Sequence, residues 1–252
     1  MAFMHSCRCT HTDMKPENIL FRYQNNYETV FDQRRRRHER RLLNTEILVI
    51  DLGSSVFDWE HHSKVISTRH YRAPEVIYGL EWDSKVDIWS VACILFEFYT
   101  GKTMFQTHEN MEHLAMMEKI LGRPPRTFVK LCKNKYYHRL NNQYYLNWDE
   151  KSDDGNYVKT QCKSLTRWNS KPSKADHQSF FDLLSLMLTY GPDKRPSAKT
   201  CMRHHIFQEM NPTVVYRTRK GARSDSIADR TRHSSTRTLS STSSNKSQLL
   251  IC

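Results

Sequence analysis

The chain has 252 residues, of which 38% are hydrophobic and 26% are charged, a composition that allows one sizeable core and a polar tail. No run of about 18 apolar residues occurs, so no membrane span is expected. The net charge of +12 is concentrated in residues 34–41, which contribute +5, and residues 217–247, which contribute +6. The sequence therefore predicts a nearly neutral body with two basic segments, which are either solvated charge runs or patches for nuclear import or an acidic partner.

Short strands and loops are predicted before residue 83, and helices after it. The apolar run EILVIDLG at 46–53 ends in glycine and predicts a buried strand that leads into a loop. Residues 83–101 are apolar nearly all round, with Asp83 or Ser84 to begin a helix and Gly101 to end it. Such a helix is expected to run through the core.

Three more helices are predicted at 108–125, 175–196 and 197–207, and the first two end at glycine followed by proline. Between residues 221 and 247 about half of the positions are Ser or Thr and none is aromatic. Such a segment cannot bury enough apolar surface to offset its ordering entropy. We therefore predict a folded body over 1–209 and a disordered basic Ser/Thr/Arg-rich tail over 210–252.

Two kinds of site are disfavoured by residue spacing. Four possible zinc ligands alternate near the start of the chain: His5, Cys7, Cys9 and His11. On a strand these side chains would form a line, which cannot easily surround a tetrahedral ion, so no metal site is predicted there. The seven glycines are all more than twenty residues apart, so the sequence contains neither a G-x-G-x-x-G loop nor a Walker loop.

The stretch HTDMKPENIL at 11–20 combines an acid, a lysine and an amide, and a second acid follows in VIDLGS at 49–54. These four residues, Asp13, Lys15, Asn18 and Asp51, suggest phosphoryl transfer. Alone the pattern is modest, because any exposed loop can carry such residues as turn caps. Three segments then follow in order: STRHYRAPE ending at Glu75, DSKVDIWS with Asp87, and GPDKRP with Arg195.

Together these segments resemble the C-terminal lobe of a eukaryotic protein kinase over about residues 1–209. EHLAMMEKILG at 112–122 is similar to the motif that names the LAMMER-type, or CDC-like, dual-specificity kinases. The resemblance implies a mainly α fold with short β hairpins and with the N-terminal lobe missing. It also implies an inserted hairpin at about 22–46 and a LAMMER-containing insert region at about 108–175.

The resemblance implies a role for each matching residue. Asp13 would accept or orient the proton of the substrate hydroxyl, and Lys15 would stabilise charge on the transferred phosphoryl group. Asn18 and Asp51 would hold Mg²⁺ and, with it, ATP. The remaining positions are structural or belong to the activation loop: Glu75 and Arg195 as a buried clamp, Asp87 as a brace of the catalytic loop, and Ser67 and Thr68 as loop hydroxyls.

Two positions depart from the common kinase pattern. Leu52 stands where Phe is usual, and Thr12 stands where most kinases place Arg, although Thr is how the LAMMER type itself reads. Because Thr12 is uncharged, it cannot pair with a phosphate on the activation loop, and a loop that does not require phosphorylation is expected. The alternative is that Arg69 and Arg72, which are close in sequence, bind a phosphate on Ser67 or Thr68 locally.

The implied function is transfer of the ATP γ-phosphate to Ser, Thr or Tyr of Arg/Ser-rich splicing factors, in the nucleus and also in the cytoplasm. Without a glycine-rich lid this chain alone is expected to be inactive. One alternative is a non-catalytic kinase remnant that binds substrates or partners. Another is a nucleic-acid binder, which is disfavoured because the basic segments lack interleaved aromatic residues. The oligomeric state is left open.

Overall fold

The structure is a computed structural model that describes residues 1–33, 36–131, 135–169 and 175–209. The described residues all belong to one compact unit. The predicted tail, 210–252, lies outside the described residues, as do Arg34 and Arg35 of the predicted hairpin. None of the described helices combines the length and apolar character needed to cross a membrane.

The strands of the described residues form four separate two-stranded antiparallel sheets. The pairs are β1 (Cys9–Thr10) with β6 (Val56–Phe57), β2 (Ile19–Phe21) with β5 (Ile47–Val49), β3 (Tyr27–Asp32) with β4 (Arg37–Leu42), and β7 (Tyr137–Leu140) with β8 (Gln143–Leu146). The candidate catalytic residues lie between these first two pairs, because one of their segments runs from β1 to β2 and the other runs from β5 to β6.

The helices pack into one hydrophobic core beneath these sheets. In the described residues they are α1 (Ala2–Ser6), α2 (Pro74–Tyr78), α3 (Lys85–Thr100), α4 (Asn110–Leu121), α5 (Arg126–Leu131), α6 (Asp153–Gln161), α7 (Leu165–Asn169), α8 (Ala175–Met187), α9 (Ala198–Cys201) and α10 (Ile206–Glu209). Short 3₁₀ helices cover Pro16–Asn18, Leu52–Ser54 and Arg69–Tyr71.

Helix α3 lies at the centre of this core. Its Trp89 is fully buried and stacks on Phe105 at a ring-centroid distance of 6.0 Å. The helix ends at Gly101, which adopts the left-handed conformation with φ 70° that glycine tolerates without strain. The predicted core helix is therefore present with slightly shorter bounds, and it presents Asp87 of its first turn to the candidate site.

The prediction of a mainly α fold is wrong, because the described chain mixes helices with eight short strands. Strands β7 and β8 lie inside the predicted insert region and were not anticipated, since runs of four residues show little periodicity. The helix predicted at 175–196 ends at Met187, and the one predicted at 197–207 divides into α9 and α10. The turn at 191–195, in which Arg195 N–H donates to the Gly191 carbonyl at 3.0 Å, separates α8 from α9.

A buried ion pair joins two residues that are 120 positions apart in the chain. The guanidinium of Arg195 donates two hydrogen bonds to the carboxylate of Glu75, at 2.7 and 2.9 Å, and both side chains are fully excluded from solvent. Arg195 also donates to the carbonyls of Thr189, Lys85 and Tyr190. Because every donor direction is used, the burial of this charge is compensated.

We expect Arg195→Met to lower the free energy of unfolding by about 3–5 kcal/mol, because it leaves the Glu75 carboxylate buried without its partner. Adding Glu75→Leu should recover part of this loss, although the three backbone carbonyls stay unpaired. Urea unfolding followed by circular dichroism measures both effects. Arg22→Met is the control, since the Arg22–Glu46 pair is exposed and should change stability by less than about 1 kcal/mol. A similarly small effect of Arg195→Met would contradict the predicted role of the clamp.

Candidate active site

The segment between β1 and the first 3₁₀ helix is held by the carboxylate of Asp87. One oxygen accepts the backbone N–H of His11 at 2.8 Å, and the other accepts that of Thr12 at 3.0 Å. His5 Nε2 lies 2.9 Å from the first oxygen. Asp87 is only 1% exposed, so these contacts replace the water that a buried carboxylate loses. The side chain fixes the path of the loop before Asp13.

Thr12 adopts a backbone conformation that a β-branched residue rarely takes, with φ 69°. Such a conformation costs on the order of 1–3 kcal/mol and persists only where the surroundings enforce it. Here Thr12 Oγ1 donates to the Ser54 carbonyl at 2.7 Å, and the Thr12 carbonyl accepts from Ser67 Oγ at 2.7 Å. The backbone of Asp51 and that of Ser67 are also left-handed, with φ 64° and 65°, so strained residues cluster around the site.

His11 connects the two loops that contain the candidate acids. Its ring Nε2 lies 3.0 Å from the Ile50 carbonyl, and its Nδ1 accepts the backbone N–H of Asp13 at 3.3 Å. A carbonyl can only accept, so Nε2 carries the proton and the ring is neutral. His11 is fully buried. From the sequence, His11 was considered only as a possible zinc ligand. Its position two residues before Asp13 was the clue to this second role.

Asp13 receives hydrogen bonds on both carboxylate oxygens. Lys15 Nζ donates to Oδ2 at 2.7 Å, while the hydroxyl and the backbone N–H of Thr68 donate to Oδ1 at 2.7 and 2.9 Å. Partial burial by itself raises the pKa of Asp13, but these bonds favour the anion and together hold its pKa below the ordinary value. The bond to Asp13 likewise raises the pKa of Lys15. The acid is therefore a carboxylate near neutral pH.

Asn18 and Asp51 are brought together by the pairing of β2 with β5. Ile50 N–H donates to the Asn18 carbonyl at 3.0 Å, so Asp51 lies one residue beyond the position opposite Asn18. The buried Asn18 uses its amide Nδ2 to donate to the Asp13 carbonyl at 2.9 Å, which leaves Oδ1 as the atom that could bind a cation. A carboxylate and an amide oxygen are the donor types that Mg²⁺ prefers, so these residues fit that ion.

The two hydroxyls of the predicted activation loop point into the catalytic loop. Ser67 donates to the Thr12 carbonyl and Thr68 donates to Asp13. Arg72 holds the same stretch through bonds to the carbonyls of Ile66 and Ser67, at 2.9 and 2.8 Å. The sequence analysis considered Arg72 as a local phosphate ligand and considered Ser67 and Thr68 as acceptors. In this structure all three side chains are engaged in holding the loop against Asp13.

The strands beside the site expose a group of large apolar side chains. Each is between 37% and 57% exposed, although such residues are normally buried: Leu20, Phe21, Ile47, Leu48, Ile50 and Leu52. Leu52, which stands where Phe is usual in kinases, lies in this exposed group directly after Asp51. An apolar surface next to polar catalytic residues is typical of a binding site rather than of free surface.

We expect Thr68→Val to raise the pKa of Asp13, because removing a donor to the carboxylate makes its protonated form relatively more favourable. NMR titration of the Asp13 side-chain carboxyl carbon in wild type and variant measures this change. Ser67→Ala is the matched control, since its hydroxyl binds the Thr12 carbonyl and not the carboxylate. An unchanged Asp13 pKa in Thr68→Val would mean that the Thr68 hydroxyl does not act on this acid.

Comparisons with known proteins agree with this arrangement of motifs. The protein kinase domain family matches residues 1–207. The dual specificity protein kinase CLK2 of Mus musculus is 48% identical over 206 residues, covering 81% of this chain and 40% of that protein. The serine/threonine-protein kinase Doa of Drosophila melanogaster is 46% identical, covering 83% of this chain and 25% of that protein. The chain thus spans well under half the length of these relatives.

A crystal structure of a kinase domain matches with a TM-score of 0.68 and 35% sequence identity, covering 81% of this chain and 61% of the solved chain. This likeness and the family match correct one expectation. The description of the chain as only a C-terminal lobe is wrong, because residues 1–207 are matched as a protein kinase domain. The prediction of a protein kinase by family is confirmed: the chain belongs to the protein kinase domain family.

Proposed function

We propose that the protein is a LAMMER-type dual-specificity kinase that transfers the γ-phosphate of ATP to Ser, Thr and Tyr residues of other proteins. Support comes from the relatives, which are described as dual specificity protein kinases, and from the EHLAMMEKILG sequence in α4. The strongest support is the environment of Asp13, whose carboxylate has a lowered pKa and accepts a hydrogen bond from Lys15.

The proposed roles follow from the hydrogen bonds of each residue. Asp13 accepts three bonds, and since a carboxylate offers about four lone-pair sites, it retains acceptor capacity for a substrate hydroxyl. It orients that hydroxyl and receives its proton. Lys15 lies 2.7 Å from the same carboxylate and places positive charge where the phosphoryl group passes. His11 keeps the backbone of Asp13 in register with the Asp51 loop.

Asn18 and Asp51 would hold Mg²⁺, which neutralises charge on the phosphates of bound ATP. Asp51 adopts its left-handed conformation just after β5, and this turns the chain out of the sheet at the point where its carboxylate is needed. The exposed apolar side chains of β2 and β5 supply a surface for the adenine ring. Each residue therefore contributes positioning and charge rather than covalent chemistry.

The proposed substrates are Arg/Ser-rich splicing factors, and the proposed location is the nucleus, with the cytoplasm as a second site. Support for both comes from the LAMMER sequence resemblance. The basic segments at 34–41 and 217–247 are compatible with nuclear import. We further propose that residues 1–252 alone turn over slowly, because the sequence contains no glycine-rich loop to cover the phosphates.

In a form of the protein that transfers phosphate, we expect Asp13→Asn to lower kcat by about 10²–10⁴, the usual contribution of a general base. Mg²⁺-dependent nucleotide binding should be unchanged. Asp51→Asn should lower both transfer and Mg²⁺-dependent binding. Transfer from labelled ATP to an Arg/Ser-rich peptide and binding of a fluorescent ATP analogue measure the two quantities. Asp176→Asn, an exposed acid at the start of α8, is the control, and equal binding losses in both acid variants would show that the roles are misassigned.

For purified residues 1–252 with Mg-ATP and the same peptide, we expect turnover well below the roughly 1–100 per second of typical kinases. The peptide is then tested for binding by fluorescence anisotropy without nucleotide. Binding without turnover would favour the alternative of a substrate-binding module. Turnover in the ordinary range would contradict the proposal that the chain alone is slow and would support transfer by these residues directly.

A further inference from the structure

The hairpin formed by β3 and β4 separates its side chains into two different faces. Alternation along paired strands places six residues on one face: Tyr27, Thr29, Phe31, His38, Arg40 and Leu42. The ring contacts agree with this assignment. The guanidinium of Arg40 lies 4.7 Å from the centroid of the Tyr27 ring, and Phe31 meets the His38 ring edge to face at 5.2 Å. We call these six residues the aromatic face.

The aromatic face is exposed along its whole length and its six residues include no acid. Every one of them is exposed, with Tyr27 at 44% and Phe31 at 51%. The opposite face differs in charge, because Arg37 pairs with Glu39 at 3.0 Å and Arg41 lies 4.0 Å from Glu28. Positive charge is therefore balanced by acids on one face and left beside aromatic rings on the other.

The hairpin brings together aromatic and basic residues that are separate in the sequence. The basic segment 34–41 contains no aromatic residue, which disfavoured a nucleic-acid partner. The pairing register, however, places Arg40 of β4 opposite Thr29, and therefore between Tyr27 and Phe31 on the same face of the hairpin. The two aromatic rings and the arginine thus share one face, although they come from different strands. Sheets that display aromatic rings in this way bind unpaired bases by stacking, while nearby cations bind the phosphates.

We propose that the aromatic face binds single-stranded nucleic acid. The two rings stand four residues apart on one strand, about 13 Å at roughly 3.3 Å per residue, so two bases can stack without competing for one ring. An acidic peptide would pair with Arg40 but would leave both rings without flat partners. A duplex would offer phosphates but keep its bases stacked inside. The occupant that matches rings and cations together is an extended strand with free bases.

The test uses the full chain and fluorescence anisotropy with labelled single-stranded RNA and DNA of about ten nucleotides, a length within the roughly 4–16 nucleotides that comparable sites cover. The variants are Tyr27→Ala, Phe31→Ala and Arg40→Gln. Arg41→Gln is the matched control, since it removes the same charge from the opposite face of the same strand. Tyr27→Trp keeps a stacking ring, and circular dichroism verifies that each variant is folded.

We expect each aromatic-to-alanine variant to weaken binding by about fivefold to a hundredfold, the range of one base–aromatic stack. Arg40→Gln should weaken binding and reduce the slope of log K against log salt by about 0.7. Arg41→Gln and Tyr27→Trp should bind nearly as wild type. Comparison of the RNA and DNA arms identifies which strand is preferred.

Three results would overturn the proposal. Equal losses in Arg40→Gln and Arg41→Gln would mean that only net charge attracts the strand. Full binding by Tyr27→Ala and Phe31→Ala would mean that no base stacks on this face. Binding of an acidic peptide of equal charge at the same affinity, with the same dependence on Tyr27, would identify the face as a protein-docking surface instead.

Discussion

The carboxylate of Asp87 is the contact on which the candidate site depends. It lies in the first turn of the helix that passes through the core, so its position is set by the packing of the whole body. From there it accepts the backbone N–H groups of His11 and Thr12, at the point where the chain enters a conformation it would not adopt alone. The stability of the core therefore maintains the strained backbone conformation of Thr12, which is adjacent to Asp13.

From Thr12 the same arrangement extends to the activation loop. The Thr12 carbonyl accepts from Ser67, the next residue donates twice to Asp13, and Arg72 binds the carbonyls that precede Thr68. The loop and the acid therefore stabilise each other through hydrogen bonds that need no phosphate. The uncharged Thr12 contributes to this network through its hydroxyl, which donates to the Ser54 carbonyl, and through its own carbonyl.

Much of this organisation could be predicted from the sequence, because it depends on local order. The helix near 83–101, the strand within 46–53 and the sequence order of Asp13, Asn18 and Asp51 all follow from short patterns. The hydrogen bonds from Thr68 to Asp13 could not be predicted, because the two residues are 55 positions apart. Local sequence patterns do not indicate which distant residues come into contact. The left-handed backbone of Thr12 was equally hidden, since threonine has no preference for it. The aromatic face also depended on a pairing register that neither strand specifies alone.

Helix α4, which contains the EHLAMMEKILG sequence, contacts the segment that follows Thr68. Asn110, at the start of α4, accepts a hydrogen bond from Arg69 of the activation loop at 2.8 Å. His113, one turn later, is fully buried, and neither ring nitrogen has a hydrogen-bond partner among the described residues. Burial, together with the nearby charges of Arg69 and Arg72, lowers the pKa of His113 to about 3, so the ring stays neutral there. A protonated histidine would repel both arginines, whereas the neutral ring packs against Phe105 with 5.0 Å between the ring centroids. Helix α4 thus provides a neutral, buried side chain near the segment that contains Arg69 and Arg72, which complements the hydrogen bonds that hold this segment from the side of Asp13.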